Sequence, residues 1–215
     1  MSIFARLSKI SRIRKLELFN KLMNPTKEMK ILDIGAEINP TNENIQFIDG
    51  YPWNNNVSAI NLSSEHISLI KQYYPEVDAR VGDACALPWE DKHFDIIYSN
   101  AVIEHLGSFE KQKKMAAEIM RVGKSWFITT PNRWYPFEFH MRLPFVTWLP
   151  RNGYIRFGKI ISYNHMERKY TTGIKRDDLR LITAKELKHL FPSSRIIKQR
   201  VTFMAETLIC VGGLC

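Results

Sequence analysis

The sequence predicts an α/β fold: a doubly wound, mostly parallel sheet with helices on both faces. Three observations carry that prediction. Between residues 30 and 130, five short apolar runs alternate with helix-patterned or polar stretches. Each run is apolar on both faces, as expected of parallel strands buried beneath helices. Near the C-terminal end two more runs stand so close together that only a hairpin can join them, which adds an antiparallel pair.

Residues 1–28 read as a basic amphipathic leading helix. Within residues 1–23, Arg6, Lys9, Arg12, Arg14, Lys15 and Lys21 face Glu17 alone, while Ile3, Phe4, Leu7, Ile10, Ile13, Leu16 and Phe19 recur every three or four positions. Such a helix either lies on an anionic membrane through residues 3–22 or packs its apolar stripe on the domain and leaves its charges in water. Nucleic acid is not expected as a partner, because charge without a binding module gives only weak, salt-sensitive association.

Residues 29–130 form the core. Its strands are KILDIG (30–35), VSAIN (57–61), DARVG (78–82), FDIIYS (94–99) and WFITT (126–130). Helices are expected at about 64–74, capped by Ser63 or Ser64, and at about 109–121. Strand–helix alternation of this kind implies right-handed crossovers. The stretch PTNENIQFIDGYPWNNN (40–56) reads as a loop, punctuated by Asn39-Pro40 and Tyr51-Pro52.

Residues 131–182 are aromatic and proline-rich, too long for a plain loop, and read as an insertion over one end of the sheet. Its aromatics Trp134, Tyr135, Phe137, Phe139 and Trp148 are expected to form the insertion's own small core. Residues 183–215 complete the fold. Thr183 and Glu186 make a capping box for the last helix, and SRIIKQRVTF and ETLICVGG make the hairpin.

The bulk numbers bound the rest. A chain of 215 residues suits one domain with a continuous core. No apolar run reaches bilayer-spanning length, and no apolar leader is present, so a cytoplasmic or membrane-peripheral location is expected. Cys85, Cys210 and Cys215 lack metal-ligand spacing, so no metal site is expected.

GDACALPWEDKHFDIIYSNAVIEHL (82–106), with ILDIG (31–35) and ITTPNRW (128–134), resembles the class I S-adenosylmethionine-dependent methyltransferases, in particular the type 11-like subgroup. That resemblance implies a Rossmann-like sheet of seven strands, with one antiparallel strand near the C-terminus, and S-adenosyl-L-methionine as cofactor. It implies that Asp33, Gly35 and Ala36 serve the methionyl end, that Asn61 with Leu62 serves the ribose, that Asp83 and Ala84 hold the adenine, and that Asn100 lines the sulfonium side. Independently, all these positions fall at predicted strand C-termini, where open α/β sheets bind ligands.

Two departures stand out. Glu37 and Pro40 follow where the family has glycines that let backbone approach the cofactor. Asn61 stands in place of an acid, offering one acceptor and one donor. Either the cofactor site is modified or the chain is a non-catalytic binding module on the same fold. A dinucleotide-dependent oxidoreductase ranks below both, because DIGAEINP lacks the G-x-G-x-x-G spacing.

Methyl transfer asks the protein for alignment and, for most acceptors, removal of a proton. His105, just after the fourth strand, is the expected base; its alternative role is to buttress the following helix. Arg133, Glu138 and His140 in the insertion are expected to hold the acceptor. The run TTPNRWYPFEFHMRLPFVTWLP (129–150) resembles methyltransferase-like proteins of surface-polysaccharide and lipid-linked sugar pathways. That implies O-methylation of a small molecule or a glycan, including a sugar carried on a lipid.

Overall fold

A computed structural model describes residues 3–39, 45–164, 169–174 and 176–213; Pro40, Cys215 and the side chains of Ile3 and Phe4 lie outside the described residues. Helix α1 (Ile3–Met23) leads into β1 (Ile31–Ile34), the single-turn α2 (Phe47–Gly50), β2 (Val57–Asn61), α3 (Ser64–Tyr73), β3 (Asp78–Val81), β4 (Phe94–Asn100), α4 (Phe109–Val122) and β5 (Gly123–Pro131). Two small hairpins follow, β6 (Phe137–Glu138) with β7 (Leu143–Pro144), then, beyond α5 (Arg151–Ile160), β8 (Ser162–Asn164) with β9 (Lys169–Thr171). Helix α6 (Ala184–Leu190), β10 (Arg195–Gln199) and β11 (Thr207–Gly212) close the chain.

The main sheet has seven strands in the order β10-β11-β5-β4-β1-β2-β3. β1, β2, β3, β4 and β5 pair in parallel, and β11 runs antiparallel to both β5 and β10. The chain therefore has the doubly wound, mostly parallel sheet that its sequence predicts. Strand alternation splits the core in two. Leu32, Ile97, Trp126, Ile128 and Leu208 face α4 and α6, whereas Ile31, Ile96, Phe127 and Ile209 face α1 and α3. The expected caps are present: Ser63 accepts from the His66 N–H, and Thr183 and Glu186 bond each other's backbone.

Three expectations need correction. β3 is not apolar on both faces: only Ala79 is buried, because β3 is an edge strand that meets the sheet on one side. Trp134, Tyr135, Phe137, Phe139 and Trp148 are not the insertion's core. Met141, Val146, Tyr154 and Leu179 are, while Trp134 and Trp148 stay about half exposed. Finally, the inward stripe of α1 is rotated from the one read in the sequence. Lys15, Phe19 and Met23 are its buried residues, and Ile10 and Ile13 are only half-buried.

That rotation reflects what α1 covers. Among its described residues the crossover from β1 to β2 holds only the single α-helical turn α2 and the 3-10 turn Asn54–Asn56, and α1 fills the vacant place on that face of the sheet. Phe19 is fully buried, meeting Phe47, Tyr98 and Phe127 edge-on at ring distances of 5.2, 5.5 and 5.6 Å. Burying such a ring contributes roughly 2–3 kcal/mol. No helix among the described residues is long and apolar enough to cross a membrane.

Candidate functional site

The parallel strands end at a cavity of about 340 Å³. Asp33 and Gly35 reach it from β1, Asn61 from β2, Tyr98 and Asn100 from β4, and His105 from the 3-10 turn Ile103–Leu106. Asp33 pairs with Tyr98 across the β1–β4 ladder, so both point to the α1 side. The size lies within the 300–1,000 Å³ of ordinary small-molecule sites.

Each residue is held for a local reason. Gly35 has φ of +77°, and a Cβ there would stand 2.2 Å from Cγ2 of Val102. Only glycine fits both the backbone and the space. Asn61 donates to the Ala36 carbonyl at 2.8 Å and accepts from the Ser63 N–H at 2.9 Å. An acid at position 61 could not make the first bond, so the amide latches the turn that follows Gly35. Ala36 is buried in the α1-side core rather than lining the cavity.

Glu37, where a glycine was expected, lines the cavity, accepts from Gln46 Nε2 at 3.3 Å and lies 3.8 Å from His66. Burial, reinforced by the charge of Glu37, raises the Asp33 carboxyl well above the usual carboxylate range. A cationic ligand group in this cavity would relieve both acids.

α1 supplies the remaining wall, which sequence reasoning missed. Arg12 and Leu16 line the cavity, and Arg12 Nη1 is buried without a hydrogen-bond partner among the described residues. Burial lowers the Arg12 pKa, a cost that an anionic ligand would offset. Lys15 donates to Asn100 Oδ1 at 2.7 Å, and Thr129 Oγ1 donates to the same oxygen at 2.7 Å. Burial, with help from Arg12, depresses Lys15 to about 8. The missed signal was spacing: positions 8, 11, 12, 15 and 19 share one helical face, polar where α1 overhangs the strand ends and apolar where it meets the sheet.

A second cavity of about 230 Å³ adjoins the first, sharing Arg12, Asn100 and Ala101 with it. Ala101 has φ of +58°, a strained conformation for a residue other than glycine and one that gathers at functional sites. Tyr135 and Phe139 stack at 5.5 Å and form an aromatic wall, with Lys15, Glu104, His140 and Glu206 supplying polar groups. His140 Nδ1 meets Glu138 Oε1 at 2.7 Å. Burial opposes charge on both, yet their mutual bond wins, raising the His140 pKa and lowering that of Glu138.

The structure thus brings Asp33, Gly35, Asn61, Asn100 and His105 to one cavity and His140 to its neighbour. Glu138 stands behind His140, nearly fully buried. Leu62, Asp83, Ala84 and Arg133 fall elsewhere. Leu62 is 71% exposed, Asp83 accepts from the Cys85 N–H at 2.8 Å, and Ala84 is in the α4-side core. Because the Gly82 N–H donates to the Asn61 carbonyl at 3.0 Å, Asp83 sits just beyond the β2 end of the cavity. Arg133 lines a separate cavity beside Thr147 and Tyr154.

A family model described as a methyltransferase domain matches residues 33–126. Over those residues the chain is similar to class I S-adenosylmethionine-dependent methyltransferases. This methyltransferase-fold chain is 26% identical over 152 residues to a ubiquinone biosynthesis O-methyltransferase of Chelativorans sp., covering 67% of this chain and 57% of that one. It is 31% identical over 67 residues to a protein of Mycolicibacterium smegmatis described as a probable S-adenosylmethionine-dependent methyltransferase, covering 31% of this chain and 26% of that one. The chain therefore spans about a quarter and just over half of these two curated relatives. In fold it is similar to a 1,6-didemethyltoxoflavin-N1-methyltransferase of Burkholderia thailandensis solved with S-adenosylhomocysteine, at a TM-score of 0.54 and 14% identity over 94% of this chain and 77% of that one.

The family's cofactor carries an ammonium, a carboxylate, a sulfonium, a ribose and an adenine, and the first cavity fits it. Asp33 and Glu37 offer carboxylates to the positive groups, Arg12 offers an unsatisfied guanidinium to the carboxylate, and Gly35 admits close backbone approach.

Proposed function

We propose that the chain transfers a methyl group from S-adenosyl-L-methionine to an oxygen of a small-molecule or glycan acceptor. The observation that carries this reading is the shared wall: Arg12, Asn100 and Ala101 line both the cofactor-sized cavity and the smaller aromatic one. A bound cofactor supplies an electrophilic methyl; the chain's own residues supply alignment and proton removal. Asp33, Arg12 and the Gly35 turn hold the methionyl end, Asn61 meets the ribose with its remaining acceptor capacity, and Asp83 with Ala84 closes on the adenine. Asn100, pinned by Lys15 and Thr129, fixes the boundary at which donor and acceptor meet.

His105 takes the acceptor's proton. It lines the first cavity, and its ring stands 5.0 Å from that of His140 in the second. The stacked Tyr135 and Phe139 suit a planar or sugar-ring acceptor, and a relative named as an O-methyltransferase supports oxygen as the accepting atom. Exposed Trp134, Phe145 and Trp148 on the insertion suit an acceptor with a lipid tail.

A second reading, a binding module without turnover, draws on Asn61, whose two polar groups are both engaged inside the protein. Phenols and lipid-linked sugars, screened with methyl-labelled cofactor, separate the two. In that assay His105→Ala should lower turnover by about 10²–10⁴-fold with little change in S-adenosylhomocysteine affinity. Undiminished turnover removes His105 as the base.

A further inference from the structure

Three side chains at the junction of the two cavities form a constellation that proton removal alone does not explain. The potential ligand atoms of Glu104, His105 and His140 all lie within 4.8 Å of one another. They come from separate places: Glu104 and His105 from the 3-10 turn after β4, His140 from between β6 and β7. That separation is why no sequence spacing announced them.

Glu104 is the informative member. Its residue is 0% exposed, and although Oε2 accepts from Thr130 Oγ1 at 2.9 Å, Oε1 is buried with no hydrogen-bond partner among the described residues. Leaving a carboxylate oxygen so placed is costly, and proteins satisfy such groups with a donor or a cation. Burial raises the Glu104 pKa, against the opposing pull of His105 and His140.

One imidazole is backed by a carboxylate at hydrogen-bond distance, and the other has a carboxylate farther off. His140 Nδ1 stands 2.7 Å from Glu138 Oε1, and His105 Nδ1 stands 3.6 Å from Asp178 Oδ2. A carboxylate behind an imidazole fixes ring orientation and makes the opposite nitrogen a better ligand, the arrangement found behind metal-bound histidines. A metal bond from His140 would therefore run through Nε2.

We propose that Glu104, His105 and His140 bind a divalent first-row transition cation. Two imidazoles with one carboxylate suit Zn²⁺, Mn²⁺, Fe²⁺ or Co²⁺, whereas an all-oxygen set would be needed to favour Mg²⁺ or Ca²⁺. With metal–ligand bonds of about 2.1 Å the ligand atoms must close by roughly 1 Å, a movement within side-chain rotation. Three protein ligands leave coordination positions open. Glu104 and His140 line the second cavity and His105 lines the first, so those positions face both. Its catalytic consequence, though not the binding itself, rests on the proposed methyl transfer. An acceptor hydroxyl coordinated there would lose its proton more easily, releasing it to solvent, and His105 would then hold the cation instead of taking that proton.

Chelator-treated full-length protein, titrated with Co²⁺ and followed by visible absorption and calorimetry without cofactor, tests the site. The expected result is saturable uptake of one equivalent. Glu104→Gln and His140→Ala should each weaken it at least tenfold, and Glu138→Gln about 10–100-fold through His140. His189→Ala, at an exposed position of α6, should leave it unchanged. Thermal melts of each variant separate lost ligands from lost fold. No saturable uptake by the unaltered chain, or uptake undiminished in folded Glu104→Gln, overturns the proposal. S-Adenosylhomocysteine binding, measured separately, tells failure of the metal site from failure of the cofactor reading.

Discussion

The two cavities differ in how they are built, and the difference decides what can be read from the chain. The larger one is built mainly on the sheet, with α1 and the start of α2 completing it. Its residues occupy the carboxyl ends of β1, β2 and β4, where parallel register and side-chain alternation determine position and direction. The smaller one rests on the ends of β4 and β5, but its other walls come from α1, the insertion and the loop before β11, three segments joined by no common periodicity. Sheet geometry propagates along the sequence; a wall gathered from unrelated segments exists only once they have packed.

The comparison breaks most sharply at Gly35. Gly35→Val adds a side chain to a left-handed backbone position already pressed by Val102, so S-adenosylhomocysteine binding should fall below detection. Equilibrium unfolding of the same variant shows how much of the loss is local. If binding survives, the strand-end cavity is not the cofactor site.

Phe19→Ala should destabilise the chain by about 3–5 kcal/mol in denaturant unfolding. It probes the helix that joins both cavities to the core. A cost under about 1 kcal/mol would mean that α1 is loosely attached and that its polar half does not form a fixed wall.

Lys15 gives a pH signature. Its folded pKa is depressed to about 8 by burial and Arg12, against the pull of Glu104 and Glu206, while the unfolded chain keeps the ordinary lysine value of 10.5. The unfolded state therefore binds more protons between those values, and stability should rise as pH climbs through that window, by up to about 3 kcal/mol. Below the folded pKa both states are protonated and the penalty is fully present. Lys15→Met should flatten the rise; identical pH profiles of the two proteins would show that Lys15 is not buried as a cation.

The smallest expected effect is the most discriminating. Asp83 lies outside the cavity, so its adenine contact requires the ligand to extend past Gly82. Asp83→Ala should weaken cofactor affinity by about tenfold, the worth of one charge-assisted hydrogen bond. Unchanged affinity in calorimetry removes Asp83 from the site.

Strand positions were legible because buried parallel strands leave continuous apolar runs: VSAIN matches β2 residue for residue, and the ends of β1, β3 and β4 fall within a residue of the reading. Asp33, Gly35, Asn61 and Asn100 were legible for the same reason. Arg12 and Lys15 were not, because on an amphipathic helix a cation reads as solvent-facing until the face it shares with Phe19 is known to be buried. The helix-poor crossover from β1 to β2 was visible as poor helical pattern, but not that α1 would cover the resulting gap. Nor could periodicity show that Asn61 latches Ala36, since that bond spans 25 residues.

Calorimetric titration of the full chain with S-adenosylhomocysteine tests the central claim most directly, using the unaltered protein beside Arg12→Ala. One saturable site is predicted, weakened about 10–100-fold when the buried guanidinium is removed. Absence of binding, or equal affinity in the two proteins, would contradict a cofactor cavity shared between the strand ends and α1.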